Sequence, residues 1–497
     1  MFSGFAEPFF GNLLVCEKPI FVSGGNNSAI REREDMLAKK KIVLSVTIVM
    51  IALLITASIL IIINRTSIYP YETDKNYEYP LDQTNARSIS LNLKNGKITL
   101  PKKYSSYQTT FIKINVSTTL MGKYSLPSIE ISSGKSSFIQ YFEHGAKGSR
   151  YLNISALMSE TETEINFKGD CISIDDQIVQ LVTFENQDLS KLKVLVIAPH
   201  PDDAEIAAYG LYSSNKHSFV ITVTAGEAGE NKYDEIYKSK VKQYLKKGVL
   251  RTWNSITVPM LGGILPEQTL NLGFFDGTLE TMFKNKSKPV KGLYTEALDI
   301  DTFRKQNISS LSQGLSGGAD WNSLVENFEY LLTTIKPDVI VTPYPALDDH
   351  HDHKMTSIAL FEAIKKLGIK SGDLYLYTNH LTLNEYYPYG KIGGIVSLPP
   401  NFEKTIYFDS IKSHTLSITN QQDKIFALEA MHDLRPDTEW RSSKGAIKNV
   451  FANIKRDIRG NGNSYYKRAI RSNELFFTVN IANIYDQEKL NRIIGKI

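Results

Sequence analysis

The segment KVLVIAPHPDDAEI, residues 193–206, decides which fold the sequence predicts. Its first half is continuously apolar instead of alternating, which is typical of a strand buried on both faces of a parallel sheet. The run breaks at His200, which has a proline on each side, and at the adjacent carboxylates Asp202 and Asp203. In open α/β sheets, polar groups at the carboxyl end of a strand lie where ligands bind.

Two later segments repeat this form. Residues 219–230 (FVITVTAGEAGE) and 338–345 (DVIVTPYP) are apolar runs that end in glycine-rich or polar loops. Helical patterns lie between and after them, for example at 321–335 and 353–368. This alternation of strand and helix predicts an α/β domain over residues 190–497, built on a doubly wound, mostly parallel sheet.

A second polar cluster follows the third strand. The sequence PALDDHHDHKMT places three of the chain's nine histidines at positions 350, 351 and 353, around Asp352. Histidine and carboxylate donors from two strand ends suit Zn²⁺, with another divalent ion such as Fe²⁺ as the alternative. Each cluster alone could instead cap the helix that follows it. Together, at two strand ends of one sheet, the clusters favour a catalytic metal site.

The pairing of PHPDD with a later HxDH motif resembles the PIG-L/LmbE-like zinc-dependent N-acetylglucosaminyl deacetylases, over roughly residues 190–480. The resemblance implies that His200, Asp203 and His353 bind the metal. It implies that Asp202 is the general base for the attacking water. It also implies that His350 stabilises the oxyanion or protonates the departing amine.

The same resemblance assigns supporting roles to other residues. Asp352 would orient a ligand histidine from the second shell of the metal. Arg251 and Asp276 would contact sugar hydroxyls. Glu227 and His432 are further candidates for the pocket, and each could equally be structural.

The sequence departs from the family pattern at two places. The family usually has a glutamate directly after the two aspartates, whereas Ala204 stands there and Glu205 follows. Some members place a tyrosine near the second motif as an oxyanion donor. Here Asp348 occupies the position two residues before His350, and Tyr344 lies nearby in sequence. Neither departure removes an expected ligand or the base.

The expected function is therefore a metal-dependent hydrolase that removes the N-acetyl group from an N-acetylated, GlcNAc-like amino sugar in a lipid-linked or surface glycan. The main alternative is a catalytically inactive glycan-binding or scaffold protein on the same fold. The segment GLSGG at 314–318 fits a serine nucleophile elbow, but a polar stretch precedes it where that motif needs a strand. A net charge of +4 without a dense basic stripe argues against nucleic-acid binding.

Residues 42–63 predict a single transmembrane helix. The stretch contains no charged residue and reaches about 33 Å as a helix, against about 30 Å for a bilayer core. A buried soluble helix and a cleaved signal peptide are the alternatives. Lysine and arginine are more frequent before the stretch than after it, which predicts a cytoplasmic N-terminus and an extracytoplasmic catalytic domain.

The remaining segments complete the predicted organisation. Residues 1–41 are expected to form a cytoplasmic tail, and the polar, tyrosine-rich residues 64–85 a linker. Short alternating patterns and an Asn95-Gly96 turn predict a small antiparallel, sandwich-like β domain over residues 86–187. This domain could bind glycan or act as a spacer. The sequence does not determine the oligomeric state.

Overall fold

The computed structural model describes most of the chain, namely residues 26–101, 109–158, 164–230, 233–431 and 465–496, with a few isolated positions between 447 and 455. The chain separates into two compact units, Met1–Leu60 and Ile61–Ile497. The first 25 residues of the expected cytoplasmic tail and His432 lie outside the described residues.

The helices of the described residues begin with one long apolar element and are otherwise short or of medium length. In chain order they are α1 (Asn26–Thr66), α2 (Met121–Tyr124), α3 (Asp203–Ser213), α4 (Lys240–Thr257), α5 (Leu279–Lys284), α6 (Asp301–Arg304), α7 (Trp321–Ile335), α8 (His351–Leu367), α9 (Ile418–Ala430), α10 (Tyr465–Arg468) and α11 (Gln487–Ile494).

The strands fall into an N-terminal group of nine and a C-terminal group of seven. The first group is β1 (Arg87–Leu93), β2 (Lys97–Thr99), β3 (Thr109–Thr118), β4 (Ser128–Ser133), β5 (Ser136–Tyr141), β6 (Lys147–Asn153), β7 (Glu164–Asp170), β8 (Ile172–Ser173) and β9 (Gln177–Phe184). The second group is β10 (Val194–Ala198), β11 (Ser218–Thr224), β12 (Thr269–Phe274), β13 (Val339–Pro343), β14 (Asp373–Tyr377), β15 (Ser410–Thr415) and β16 (Asn473–Asn480).

Helix α1 contains the apolar stretch 42–63. The part Ile30–Thr66 is the one helix of the described residues that is long and apolar enough to cross a membrane, and a signal sequence would pass the same test. Its side chains from position 30 to position 60 are all exposed. The helix therefore has no apolar partner within the described part of its own unit.

The N-terminal strands form two antiparallel sheets around one core. One sheet has the order β1-β9-β3-β6, with β8 paired to β3, and the other has the order β2-β7-β4-β5. Every pairing in both sheets is antiparallel. The alternating apolar residues of each strand, such as Ile112 and Ile114 in β3 and Ile129 and Ile131 in β4, meet in this core. Alternation therefore buries one face of each sheet.

The C-terminal strands form a seven-stranded sheet with the order β12-β11-β10-β13-β14-β16-β15. The first five strands run parallel, and the last two pairings are antiparallel. Counted over all described sheets, antiparallel pairings are the majority because the two N-terminal sheets contain no others.

Strand β10 lies at the centre of this sheet, and all five of its side chains are 0% exposed. Leu195 and Ile197 pack into a core that helices α7 and α8 cover. Val194 and Val196 pack into a second core, to which helices α3 and α9 contribute. Full burial of each such side chain stabilises the fold by about 1.5–3 kcal/mol. This is why an unbroken apolar run, rather than an alternating one, occupies this strand.

The segment expected to be a linker, residues 64–85, packs between the two groups of strands. The backbone N–H of Tyr77 donates to Ser149 O at 3.0 Å, and that of Glu78 donates to Asn401 O at 2.8 Å. The segment therefore contacts both the N-terminal sheets and the C-terminal part within the unit Ile61–Ile497.

Candidate active site

The first motif forms a closed turn between β10 and α3. The backbone N–H of His200 donates to Oδ2 of Asp203 at 2.9 Å, so the turn folds back onto the first residue of the helix. Asp202 is the N-cap residue and has a φ of 126°, a conformation that costs energy for a residue with a side chain. Non-glycine residues in such conformations cluster at functional sites.

Three side-chain atoms from the two motifs converge. Oδ2 of Asp203 lies 3.1 Å from Nδ1 of His200 and 3.1 Å from Nε2 of His353. The two histidine nitrogens lie 3.3 Å apart. All three residues are buried, with exposures of 8% for His200, 1% for Asp203 and 0% for His353. The residues predicted to bind a metal are therefore brought together, although about 150 positions separate the motifs in the chain.

The outer nitrogens of both histidines face carboxylates. Nδ1 of His353 lies 3.0 Å from Oδ2 of Asp348, and Nε2 of His200 lies 3.3 Å from Oδ2 of Asp352. A carboxylate there can accept the N–H of the ring, so that the opposite nitrogen is the one a cation can bind after displacing its proton. The nitrogens left free for a cation are Nδ1 of His200 and Nε2 of His353, which are the two that converge on Asp203.

Asp203 and Asp348 are themselves held by polar groups from the segment after β14. Nδ2 of Asn379 donates to Oδ1 of Asp203 at 2.7 Å, which leaves Oδ2 facing the histidines. Oδ2 of Asp348 accepts from the backbone N–H groups of Asn379 at 3.1 Å and His380 at 3.2 Å. The carboxylates are thereby fixed in orientation.

The electrostatics of this cluster favour positive charge. Burial opposes ionisation of Asp203, but the facing His353 holds its pKa well below the usual range. Burial alone would lower the pKa of His353, but Asp203 and Asp348 raise it to about 10. Burial, followed by the repulsion of His200 and His353, lowers the pKa of His350 to about 4. The position between the three convergent atoms therefore suits a cation.

Asp276 belongs to this cluster as well. Its Oδ1 lies 3.2 Å from Nε2 of His200, on the same side as Asp352. Burial opposes its ionisation, yet His200 holds its pKa far below the usual range. Its backbone N–H donates to Glu227, which is fully buried and whose pKa is raised to about 8 by burial and then by Asp276. The contact of Asp276 with a sugar stays a prediction.

Arg251 makes an ion pair inside the site. Its Nη2 lies 2.9 Å from Oδ2 of Asp202, and its Nη1 donates to Gly226 O at 3.1 Å. Both partners of the ion pair are mostly buried, with side-chain exposures of 13% and 12%. Arg251 therefore positions the expected base, and its contact with sugar hydroxyls stays a prediction.

Several combinations of side chains here have a geometry that could hold a metal ion, each with ligand atoms within 4.8 Å of one another: His200, His350 and His353; Asp203, His353 and His380; His200, Asp276 and Asp352. His380 is a residue that the motifs did not predict. It directly follows Asn379 after strand β14, the neighbour of β13 in the sheet, so its place at a strand end is the feature that could have indicated it.

The departures from the family pattern now have structural explanations. Ala204 is 1% exposed and packs in the core beneath α3, where a longer polar side chain would lose its solvation. Glu205 accepts a hydrogen bond from Tyr212 within the same helix. Tyr344 donates to the carbonyl of Tyr407 in the core and is 0% exposed, so it does not face the metal cluster.

The GLSGG segment does not form a nucleophile elbow. A 3₁₀ turn, Ser310–Gly314, precedes Ser316, and the backbone of Ser316 is bonded to Asn327. No strand leads into it within the described residues 233–431.

Residues 195–364 match the family model described as PIG-L: GlcNAc-PI de-N-acetylase. Residues 195–364 therefore form a PIG-L family domain, which confirms the resemblance drawn from the two motifs and supports a deacetylase-type function. The match begins in β10 and ends in α8, so it contains both motifs. No curated protein sequence matches the chain.

Similar solved structures include a deacetylase. Dbv21, the deacetylase of the antimicrobial A40926 pseudoaglycone, is 16% identical, covers 59% of this chain and 99% of its own, and has a TM-score of 0.30. The conserved protein TT1542 of Thermus thermophilus is 18% identical over 57% of this chain and 94% of its own, with a TM-score of 0.28. GalB, the 4-carboxy-2-hydroxymuconate hydratase of Pseudomonas putida, is 13% identical over 58% and 95%, with a TM-score of 0.27.

Proposed function

We propose that this protein is a metal-dependent hydrolase that removes the acetyl group from an N-acetylated amino sugar. The observation that carries the proposal is the convergence of Nδ1 of His200, Oδ2 of Asp203 and Nε2 of His353 at separations of 3.1–3.3 Å. Zinc bonds of about 2.0–2.1 Å in a tetrahedral site require donor atoms roughly 3.3–3.4 Å apart. The donor set therefore fits Zn²⁺, with Fe²⁺ as the alternative.

A bound divalent cation would polarise the amide carbonyl and lower the pKa of a water molecule toward neutrality. Asp202 would accept the proton of that water, because it is adjacent to the ligand Asp203 but is not part of the convergent set. The ion pair with Arg251 at 2.9 Å orients its carboxylate. Asp202 would then return the proton to the departing nitrogen, which releases acetate and a free amine.

His350 would stabilise the oxyanion. Its ring centroid lies 4.7 Å from that of His200 and 4.9 Å from that of His353. Its Nδ1 is buried and has no hydrogen-bond partner among the described residues. An unpaired buried nitrogen costs energy unless a ligand pairs with it. A neutral imidazole can donate one N–H to a developing oxyanion, and burial together with positive charge in the adjacent cluster favours that neutral form.

We further propose that the domain acts on a lipid-linked or surface glycan outside the cytoplasm, anchored to the bilayer through residues 42–63. The length of α1, its lack of charge and the surplus of basic residues before it support this arrangement. In this scheme residues 64–85 connect the anchor to a sandwich-like accessory domain at 86–187. Residues 190–497 then form the deacetylase domain on a doubly wound, LmbE-like sheet.

The experiment that tests the reaction measures acetate release. The full chain, purified in detergent and loaded with zinc, is incubated with glycolipids that carry N-acetylglucosamine. We expect stoichiometric acetate and free amine, with release slowed by about 10²–10⁴-fold in Asp202→Asn and unchanged in the exposed control Asp349→Asn. A protein that binds metal but releases no acetate from any acetylated amino sugar would favour the inactive scaffold instead. Mass spectrometry of the host's surface glycans, with and without the protein, would identify the sugar.

A further inference from the structure

A cavity of about 650 Å³ lies within the unit Ile61–Ile497, and none of its lining residues belongs to the metal cluster. The end of α1, the N-terminal sheets and the segment after β14 all contribute to its lining. The lining residues that matter here are Arg65, Tyr141, Asp170, Tyr386, Lys391 and Arg468. The cavity therefore combines cationic and aromatic side chains from three parts of the chain.

One wall of the cavity is held by close packing. Tyr141, at the end of β5, lies directly on Gly390, where a Cβ atom would collide with the tyrosine ring. The neighbouring N–H of Ile395 donates to Ile139 O at 2.8 Å. Because Gly390 has a φ of 88° and no room for a side chain, a residue other than glycine would not fit at this wall.

The charge of the lining is predominantly positive. Arg65, Lys391 and Arg468 supply cations, and Asp170 is the carboxylate of the lining. His144 also lines the cavity, but burial and then Arg65 lower its pKa to about 4, so it is uncharged at neutral pH. An anion is therefore the ligand that this lining favours.

A buried arginine behind the same wall adds to this field. Arg471 is 2% exposed and donates to five backbone carbonyls, those of Pro388, Tyr389, Gly390, Lys391 and Arg468. Its pKa is lowered to about 9 by burial and then by Arg468. Among the described residues, no carboxylate forms an ion pair with it. A buried cation without an anionic partner attracts an external anion more strongly than a solvated one.

Arg65, which belongs to the last turn of α1, is part of the lining. Arg65 comes two positions after the stretch 42–63, and its guanidinium lies 4.5 Å from the ring of Tyr124 and bonds to the carbonyl of that residue. Ile139 of the lining is 41% exposed. Arginine, tyrosine and exposed aliphatic side chains together are typical of surfaces at the membrane–water interface.

We propose that this cavity binds the phosphate of an anionic membrane lipid, with the headgroup among the cations and the acyl chains directed toward the bilayer. The location next to the bilayer rests on the membrane span proposed above. The binding itself does not involve the deacetylation reaction. The segment that forms the wall also reaches the metal cluster, because Glu385, whose carbonyl accepts from Arg468, lies 3.6 Å from His380.

The test is a binding measurement on the full chain in a neutral detergent. Native mass spectrometry and lipid titration compare dioleoyl phosphatidic acid, dioleoyl phosphatidylcholine and inorganic phosphate. We expect one phosphatidic acid per chain, bound more tightly than either other probe. Lys391→Glu should weaken this binding about tenfold and Asp170→Asn should strengthen it about threefold, because each changes the charge of the lining. Lys94→Glu, the same charge change at an exposed position in the turn between β1 and β2, should leave binding within about twofold.

Three results would overturn the proposal: equal effects of Lys391→Glu and Lys94→Glu, no preference for phosphatidic acid over phosphatidylcholine, or inorganic phosphate binding as tightly as the lipid. The last result would assign the cavity to a soluble phosphate compound. Because no turnover is measured, failure of this test leaves the deacetylase proposal intact, and loss of acetate release leaves this one intact.

Discussion

Replacement of Asp348 by asparagine tests how the protein fixes the orientation and tautomer of the proposed metal ligand His353. Asp348 accepts the ring N–H of His353 at 3.0 Å and three backbone N–H groups, those of His350, Asn379 and His380, at 3.1–3.2 Å. An asparagine keeps the size of the side chain and can still accept at one oxygen. It loses the negative charge that fixes the tautomer of His353.

The magnitude follows from these contacts. A hydrogen bond to a charged group contributes about 1.5–3 kcal/mol. Loss of a carboxylate behind a ligand histidine typically costs about 10–100-fold in metal affinity, which is roughly 1.4–2.7 kcal/mol. We therefore expect Asp348→Asn to weaken zinc binding by about 10–100-fold while the chain still folds, because an amide oxygen in the place of Oδ2 can still accept from the backbone N–H groups of Asn379 and His380.

The assay is a competition titration of zinc against a chromophoric chelator, made on the purified full chain at fixed pH. Asp349→Asn is the matched control, because it is the next residue, makes the same chemical change and has an exposed side chain. Its zinc affinity should equal that of the unchanged protein. If Asp348→Asn binds zinc as tightly as the control, His353 is not a ligand through Nε2 and the account of the histidine orientations is wrong.

Three further predictions concern the base and the buried charges. Asp202→Asn should bind zinc normally but lose about 10²–10⁴-fold in the rate of acetate release, which a coupled acetate assay on the zinc-loaded protein measures; retained activity would remove Asp202 as the base. Burial raises the pKa of Glu205 to about 8, so the folded state binds a proton at this side chain more tightly than the unfolded state does. The resulting contribution to stability is fully present below about pH 4.5 and is lost as the pH rises toward 8. Glu205→Gln should therefore show a flatter decline of the unfolding temperature over this range, and parallel curves would contradict the assignment. Lys424→Met should destabilise the fold by about 3–5 kcal/mol in denaturant titration, because it leaves the buried carboxylate of Glu474, 2.8 Å away, without its cationic partner. A loss of stability below about 1 kcal/mol would mean that water solvates this pair.

The central strand and the first motif were predictable because their local sequence decides them. Five apolar residues in succession, followed by a turn with prolines, favour a strand that is buried on both faces, and the turn closes through its own His200–Asp203 bond. The PIG-L family match from residue 195 to residue 364 bears out the resemblance that these motifs carry.

Other parts of the site depend on contacts between segments that are distant in sequence, and local sequence patterns do not predict such contacts. In the sequence, Asp348 stands near the position where some family members have a tyrosine. Only the folded chain shows that its carboxylate lies 3.0 Å from Nδ1 of His353. His380 follows β14, whose place next to β13 comes from the strand order and not from the motifs. Arg251 reaches Asp202 across 49 positions, so its ion pair was equally invisible in the sequence.

The segment 64–85 shows how a polar composition can be misleading about packing. Its tyrosines and prolines are typical of a loop, yet Tyr69, Tyr77 and Tyr79 are 3–6% exposed. Tyrosine can pack its ring in an apolar layer while its hydroxyl finds a hydrogen-bond partner, as that of Tyr77 does with Glu143 at 2.9 Å. The burial is supplied by the strands on either side, which lie far away in sequence.

The most direct measurement is an anomalous-scattering crystal structure of the zinc-loaded protein, recorded at the zinc absorption edge. The account predicts one peak within about 2.0–2.2 Å of Nδ1 of His200, Oδ2 of Asp203 and Nε2 of His353. It also predicts that this peak is absent from His353→Ala. A peak on the other face of His200, between its Nε2, Asp276 and Asp352, or no peak near either motif, would contradict it.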